Sequence, residues 1–459
     1  MADIAVMAVG GFLLLPLYTR TLSQAEFGMY VAVRANTDIL TYLLHFGLIS
    51  AVARLYFDHR KQGRAHEYLS SVFSFYLALL AIAAVLLQFL GAPLWAQLSP
   101  TTPAWPYLGF SLALAAFGFP AALASLWLRM ENRAFAMVAL QLSAALVLAV
   151  AAAILLVVFD AGLPGLLSAL LVSAACAAAA LPWLFGRRFR LVIQRADIAE
   201  TLRYALPILV GYLAYFVLNR LSTLILQRHV GVDQVAIYGL AQQLAMIVAI
   251  AGTSFGMALQ PAIFAAEPGQ VGAMLRRSGR ILAILMFAVT AVLILFAGEL
   301  FALVAPRSYG SGQQILLLLL LANFGNAFTL MSDTALLYHR RPKTSVAVSI
   351  VGALAATGLG LWLVPLLHLP GAALSLLGAF TVRMLISHWL AYRVTGYSAL
   401  GTMAASFAVL GAIAAFAAWL PQQSLAAAAA VVAKLLVVAL ALGLATFAYR
   451  KSRPPPCAK

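Results

Sequence analysis

The chain has 459 residues, of which 64% are hydrophobic and 9% charged, whereas roughly 25% of the residues of a soluble domain carry charge. Lys and Arg outnumber Asp and Glu 29 to 13, giving a net charge of +16, which invites a nucleic-acid reading until the positions of the charges are considered. Long unbroken apolar runs exclude an outer-membrane barrel, which alternates apolar and polar residues, and two cysteines, Cys176 and Cys457, exclude a disulfide scaffold. An all-α, polytopic integral membrane protein remains.

Apolar runs of about 20 residues predict membrane helices. Fourteen are expected, centred on 3–19, 28–53, 68–90, 106–128, 135–158, 164–185, 204–226, 235–262, 280–300, 312–335, 344–366, 370–392, 398–420 and 424–449. The first begins with Asp3 rather than a basic segment and lacks a small-residue cleavage site, so it reads as a retained helix and not a signal peptide. The longest polar break, near 186–203, has no room for a soluble catalytic module.

The basic residues set the orientation. With both termini cytoplasmic, Arg20, Arg228 and Arg307 fall on the opposite side, and Arg34, Arg220, Arg383 and Lys434 fall inside spans. Every other Lys and Arg lies in a cytoplasmic loop or the tail. That bias is the positive-inside pattern. Spread over seven cytoplasmic segments, the charges are explained by topology, and no nucleic-acid partner is expected.

An internal repeat is visible. RTLSQAEFGMYVAV (20–33) aligns with RHVGVDQVAIYGLA (228–241) at an offset of 208 residues, pairing Arg20 with Arg228 and Tyr30 with Tyr238. At the same offset Arg133 meets Arg341. Six spans separate the copies, so the repeat is parallel, with an axis along the membrane normal. It predicts a six-helix lobe over 1–195, a second over 196–397, and two added helices with a short basic tail over 398–459. Such repeats let two bundles rock about a central site, as transporters do.

Ionisable side chains at the bilayer centre cost roughly 2.5–3.5 kcal/mol or more, so those at depth need partners or a wet cavity. Arg34, Asp38, Thr41 and His45 share one face of the second span by their spacing. That face is expected to line a cleft; the bland alternative is an Arg34–Asp38 pair packed between helices. The seventh span carries Asn219 and Arg220 after Tyr212, Tyr215 and Phe216, the eighth Gln242 and Gln243, and the twelfth Arg383, Ser387 and His388. Four deep cations thus face one deep anion, Asp38, with Asp3, Glu299 and Asp333 nearer span ends. That balance suits an anionic substrate such as a phosphate or diphosphate, which a guanidinium can grip with two N–H groups. Arg34 and Arg220 are the first candidates and Arg383 the next. Snorkelling offers an alternative for Lys434 and Arg383.

Other motifs carry little. GTSFG (252–256) matches a nucleophile-elbow pattern formally, but that elbow needs a strand-to-helix turn, and Gly252 and Gly256 inside a helix serve close packing instead. No phosphate-binding loop for ATP, no metal-ligand cluster and no catalytic group is expected. Pro120, Pro207 and Pro261 sit within or near span ends, where proline kinks a helix or marks its end.

The opening LLLPLYTRTLSQAEFGMYVAV, with GLISAVARLYF (47–57), resembles the N-terminal signature of the polysaccharide transporter family. Members carry R-x-L-x-x-x-E-[FY]-G-x-Y, fitted within Thr19 to Tyr30, and then G-L-x-x-A-x-x-R, fitted by Gly47 to Arg54. The segment LRYALPILVGYLAYFVLNRLSTLILQRHVGVDQVAIYGLA and the outer loop PRSYGSGQQIL (306–316) are similar too. The resemblance implies a fold of the MATE and lipid-flippase group, with two six-helix lobes in a V around a central cavity. It also implies Wzx-type flipping of a polyprenyl-diphosphate-linked oligosaccharide (an O-antigen or exopolysaccharide repeat unit) across a bacterial inner membrane. Arg220 stands where the resemblance implies an acidic residue in many relatives, so its assignment to phosphate rests on charge and depth.

On this reading Arg34, Arg220 and Arg383 bind phosphate, and Asp38 and His45 relay protons or place Arg34. Thr41, Asn219, Gln242 and Gln243 add cavity polarity. No cofactor is implied, though uphill flipping would need H+ or Na+ coupling. Partners would be the lipid-linked oligosaccharide, membrane lipids, and a polysaccharide polymerase and glycosyltransferases. The alternatives are a MATE-type multidrug exporter, disfavoured by the cationic interior and the extra pair of spans; a peptidoglycan-precursor flippase; and, from another class, a membrane glycosyltransferase or ligase, disfavoured by short outer loops such as the uncharged GAPLWAQLSPTTPAW.

Overall fold

The computed structural model describes residues 12–185, 190–339, 341–396, 400–419, 432–437 and 443. Among them all regular structure is helical. In chain order the helices are α1 (Leu15–Thr21), α2 (Gln24–His45), α3 (Leu48–Lys61), α4 (Ala65–Leu98), α5 (Tyr107–Met130), α6 (Ala134–Ala153), α7 (Gly162–Phe185) and α8 (Arg195–His229). There follow α9 (Val232–Ala265), α10 (Pro268–Leu295), α11 (Ala297–Val304), α12 (Gly312–Tyr338), α13 (Pro342–Thr395) and α14 (Leu400–Trp419).

Ten stretches among the described residues are long and apolar enough to cross a membrane. The longest lies in α13, which breaks at His368 (φ 54°, ψ −120°), between the eleventh and twelfth expected spans. Helix α14 matches the thirteenth. Most of the first and fourteenth expected spans, with Asp3 and Cys457, lie outside the described residues. The ninth span differs from expectation: α10 begins at Pro268, so Arg276, Arg277 and Arg280 ride on its opening turns rather than in a loop.

The chain divides by compactness into two units, Ala2–Gly239 with Gly360–Leu369, and Leu240–Leu359 with Pro370–Lys459. This division follows packing, whereas the halves expected at 195 and 397 follow the repeat.

In the first unit the repeat motif has a local explanation. Ser23 caps α2 by accepting from the Glu26 amide at 3.2 Å, and the Glu26 carboxylate accepts from the Ser23 amide at 3.0 Å. A cap of this kind stabilises a helix by about 1 kcal/mol. Glu26 also accepts from the Leu163 amide at 3.2 Å, tying the start of α2 to the start of α7. Gly28 meets the backbone of α9: a Cβ there would lie 2.0 Å from the Val232 carbonyl oxygen. Lipid tails are as apolar as the helix faces, so backbone approach at small residues is what favours such crossings.

The second expected span, 28–53, is two helices. Phe46 (φ 50°) and Gly47 (φ 73°) both take the left-handed conformation between α2 and α3. The approach of α8 accounts for it, because a Cβ on Gly47 would stand 2.7 Å from the Ala205 carbonyl oxygen. Below the break, Tyr76 of α4 stacks on Phe119 of α5 with ring centres 4.0 Å apart, inside a core that also holds Tyr68, Trp127 and Phe185.

Contacts between helix ends fall into two sets, as alternate crossing demands. At the basic end of this unit Arg60 meets Glu131 at 3.3 Å, Arg64 meets Asp197 at 3.4 Å, and the Gln194 amide donates to Ser71 at 2.9 Å. At the other end Arg228 donates to the Gln97 carbonyl at 2.9 Å and Gln24 to the Asp233 carbonyl at 3.1 Å. Pro120 and Pro207 lie inside α5 and α8.

In the second unit α10 packs against α12 and α14. GTSFG lies inside α9, where a Cβ on Gly256 would stand 1.9 Å from the Leu330 side chain. The motif is therefore a helix-packing element and not a nucleophile elbow.

Candidate substrate site

Helices α2 and α8 pack against each other in the first unit, with Ala35, Phe216 and Leu224 buried between them. The face of α2 turned towards α4 and α5 is polar and largely hydrogen-bonded, with Asn36 Oδ1 a buried atom left without a partner on it among the described residues. Asn36 donates to Ser99 at 2.7 Å and Thr37 to Ser111 at 3.0 Å, all four buried. The charged residues occupy another face.

Asp38 is the centre of that face. Its Oδ1 lies 3.5 Å from Nε of Arg34 one turn earlier. Its Oδ2 lies 2.8 Å from Nη2 of Arg220 on α8. Arg34 sits 11 residues beyond Ser23 and Arg220 nine residues before His229, so both lie ~15 Å along the helix from the same end of the unit. One carboxylate therefore holds two guanidiniums at one depth, and the cluster keeps one excess positive charge. The Arg34 side chain is 44% exposed against 20% for Asp38, which leaves Arg34 N–H groups open to a ligand.

Tyrosines surround the cluster. Tyr42 stacks on Tyr212 with ring centres 5.8 Å apart and meets Phe216 edge-on at 6.2 Å. The Tyr212 hydroxyl is 2.6 Å from that of Ser50. The repeat-related Tyr30 and Tyr238 both lie within electrostatic reach of Arg220. Tyr238 is fully buried, and its hydroxyl has no partner among the described residues.

The other expected site residues are distributed differently. Thr41 is half-buried on α2. His45, on the expected polar face, packs edge-on against Phe119 at 5.4 Å and Tyr76 at 6.3 Å, with Nε2 unpartnered. Asn219 donates back to the Tyr215 carbonyl at 2.9 Å. Gln242 and Gln243 belong to the second unit, Gln242 being buried and Gln243 half-buried.

Arg383, also in the second unit, is 12% exposed and pairs with Asp333 at 2.9 Å. It donates as well to Asn326 at 2.7 Å and Thr329 at 3.1 Å, while Ser387 donates to Asp333 at 3.1 Å. Lys434 pairs with Glu299. The charge balance inferred from the sequence is thereby corrected. Two of the four deep cations have carboxylate partners that linear position assigned to span ends, and the excess narrows to Arg34 and Arg220.

Among the described residues no group of three or more His, Cys, Asp or Glu side chains is placed to hold a metal ion. The arrangement is instead suited to gripping an anion. Two guanidiniums present planar N–H forks, the geometry that matches phosphate oxygens.

Comparison with solved structures places the fold. Lipid II flippase MurJ in an inward closed conformation superposes with a TM-score of 0.80 at 11% identity, over 98% of this chain and 97% of that one. A multidrug resistance MATE family transporter of the MOP superfamily, facing inward, gives 0.67 at 18% identity, over 86% and 95%. An outward-facing MATE family structure gives 0.56 at 19% identity, over 86% and 94%. No curated protein sequence matches the chain. The model of the polysaccharide biosynthesis protein family matches residues 4–267, more than half of the sequence, and the chain belongs to that family.

Proposed function

We propose that the protein is a flippase that moves a polyprenyl-diphosphate-linked oligosaccharide across the bacterial inner membrane by alternating access. The observation that carries this reading is the Arg34–Asp38–Arg220 cluster, a net cationic grip at one depth inside a membrane bundle. Family membership and a fold shared with a lipid II flippase support it. A cation exporter would need surplus acid at this place, and the cluster has the opposite sign.

In this mechanism Asp38 keeps the two guanidiniums together while the site is empty. The diphosphate takes over the N–H donors, and Asp38 releases them. The prenyl chain stays in lipid. Arg383, held by Asp333, Asn326 and Thr329, orders the second unit; Asp38 stands as the candidate for H+ coupling, because the His45 ring ends among Phe119 and Tyr76. Both termini face the cytoplasm, as the basic loops direct. The polymerase and glycosyltransferases that share the lipid-linked glycan are the expected functional neighbours.

The test is reconstitution of the purified protein in liposomes with a fluorescent polyprenyl-diphosphate oligosaccharide, read by accessibility to a membrane-impermeant quencher. Wild type moves the lipid between leaflets, Arg220→Gln does not, and Arg34→Lys loses most activity because a point charge cannot replace the fork. Full transport by both variants would remove the cluster from the mechanism.

A further inference from the structure

A second site lies at the basic end of the first unit and shares no residue with the Arg34 cluster. The ends of α3, α5 and α7 and the start of α4 line an open cleft of about 690 Å³ whose lining includes Tyr56, Arg60, His66, Trp127, Arg133 and Trp183. The one carboxylate among its described lining residues, Glu131, is already engaged, accepting from the Tyr56 hydroxyl at 2.6 Å and pairing with Arg60 at 3.3 Å. Arg133 stacks over the Trp127 ring at 5.6 Å and has no carboxylate partner among the described residues. Nδ1 of His66 is buried without a partner, its ring edge-on to Phe185 at 5.8 Å. The cleft wall continues into Leu184 and into Trp183, which is 83% exposed.

These features divide into a cationic, hydrogen-bonding interior and an apolar rim. Tryptophan near a helix end is the residue that settles at the membrane–water interface, and basic pockets there take anionic headgroups. We propose that this cleft binds the phosphodiester headgroup of an anionic phospholipid. Arg133 and Arg60 take the phosphate oxygens, His66 donates from Nδ1, and Trp183 with Leu184 covers the first carbons of the acyl chains. The site would fasten the basic ends of α3, α5 and α7 to the leaflet. It stands independently of the transport reading.

The experiment uses the full chain in detergent and measures retained lipid by native mass spectrometry. The probes are dioleoyl phosphatidylglycerol, dioleoyl phosphatidylcholine and soluble glycerol 1-phosphate. Wild type should retain phosphatidylglycerol over phosphatidylcholine. Arg133→Gln should lower phosphatidylglycerol binding about fivefold, the effect of one interfacial cation, and Arg133→Lys should keep most of it. Arg393→Gln, which removes an exposed cation stacked on Trp389 at 3.9 Å in the second unit, should change nothing. Because Arg133 is exposed, its replacement leaves the core intact. Unchanged selectivity in Arg133→Gln would overturn the proposal. Equal affinity for glycerol 1-phosphate and for the lipid would overturn it too, by making this a site for soluble phosphate.

Discussion

Replacing Asp38 by Asn removes the anion between two guanidiniums while keeping the side-chain shape. Arg220 is 2.8 Å away, and the two side chains are 25% and 20% exposed. At a charge separation of about 4 Å and an effective dielectric near 20, their attraction is about 4 kcal/mol before desolvation. Losing one partner of a fully buried pair costs ~3–5 kcal/mol, and an exposed pair contributes ~0–1 kcal/mol. This pair lies between those limits, at about 2 kcal/mol. Arg34, longer at 3.5 Å and 44% exposed, contributes about 0.5 kcal/mol on the same scale. The assay is chemical unfolding in mixed micelles, followed by tryptophan fluorescence, as two double-mutant cycles. Asp38→Asn with Arg220→Gln should show a coupling of about 1.5–2 kcal/mol, and Asp38→Asn with Arg34→Gln about 0.5 kcal/mol or less. Additivity within ~0.3 kcal/mol in the first cycle would refute the cluster, and the reverse order of the two couplings would refute its geometry.

Two further substitutions separate packing from chemistry. Gly28→Ala should destabilise the protein and lower its yield, because the new Cβ would lie 2.0 Å from the Val232 carbonyl, while Gly211→Ala, with nothing within 4 Å, should be neutral or slightly stabilising in the same thermal-unfolding assay. His45→Phe should keep transport and change stability by no more than ~1 kcal/mol, since removing the unpartnered Nε2 from among Phe119 and Tyr76 is offset by losing the bond to the Ala115 backbone. A folded His45→Phe protein that no longer transports would restore the proton-relay role.

Much of the fold was legible in the sequence. Apolar run length gives most of the long helices, because the bilayer sets their length. The i, i+4 spacing of Arg34 and Asp38 gives their pairing, since a helix fixes it locally. The third member was not legible: Arg220 reaches Asp38 only through the packing of α8 on α2, and no linear pattern encodes that. The same holds for Asp333 and Glu299, which reading by span position left apart from Arg383 and Lys434. His45 shares a helical stripe with Asp38, yet its side chain ends among aromatic rings, because four residues of spacing fix direction and not depth. The break at Phe46 and Gly47 was hidden for a related reason. Both residues are apolar or small and continue the hydrophobic run, and only the Ala205 carbonyl across the interface distinguishes Gly47 from an ordinary helical glycine.

The central claim is that this chain carries a diphosphate-linked glycan from one leaflet to the other. The measurement that tests it most directly is the leaflet position of lipid-linked oligosaccharide in cells lacking the gene, measured alongside surface polysaccharide and complemented with wild type or Arg220→Gln. The account predicts a complete polyprenyl-diphosphate repeat unit accumulating on the cytoplasmic leaflet with surface glycan lost, reversed by wild type and not by Arg220→Gln. Normal surface glycan with no accumulation, in a strain with no second flippase, would contradict it.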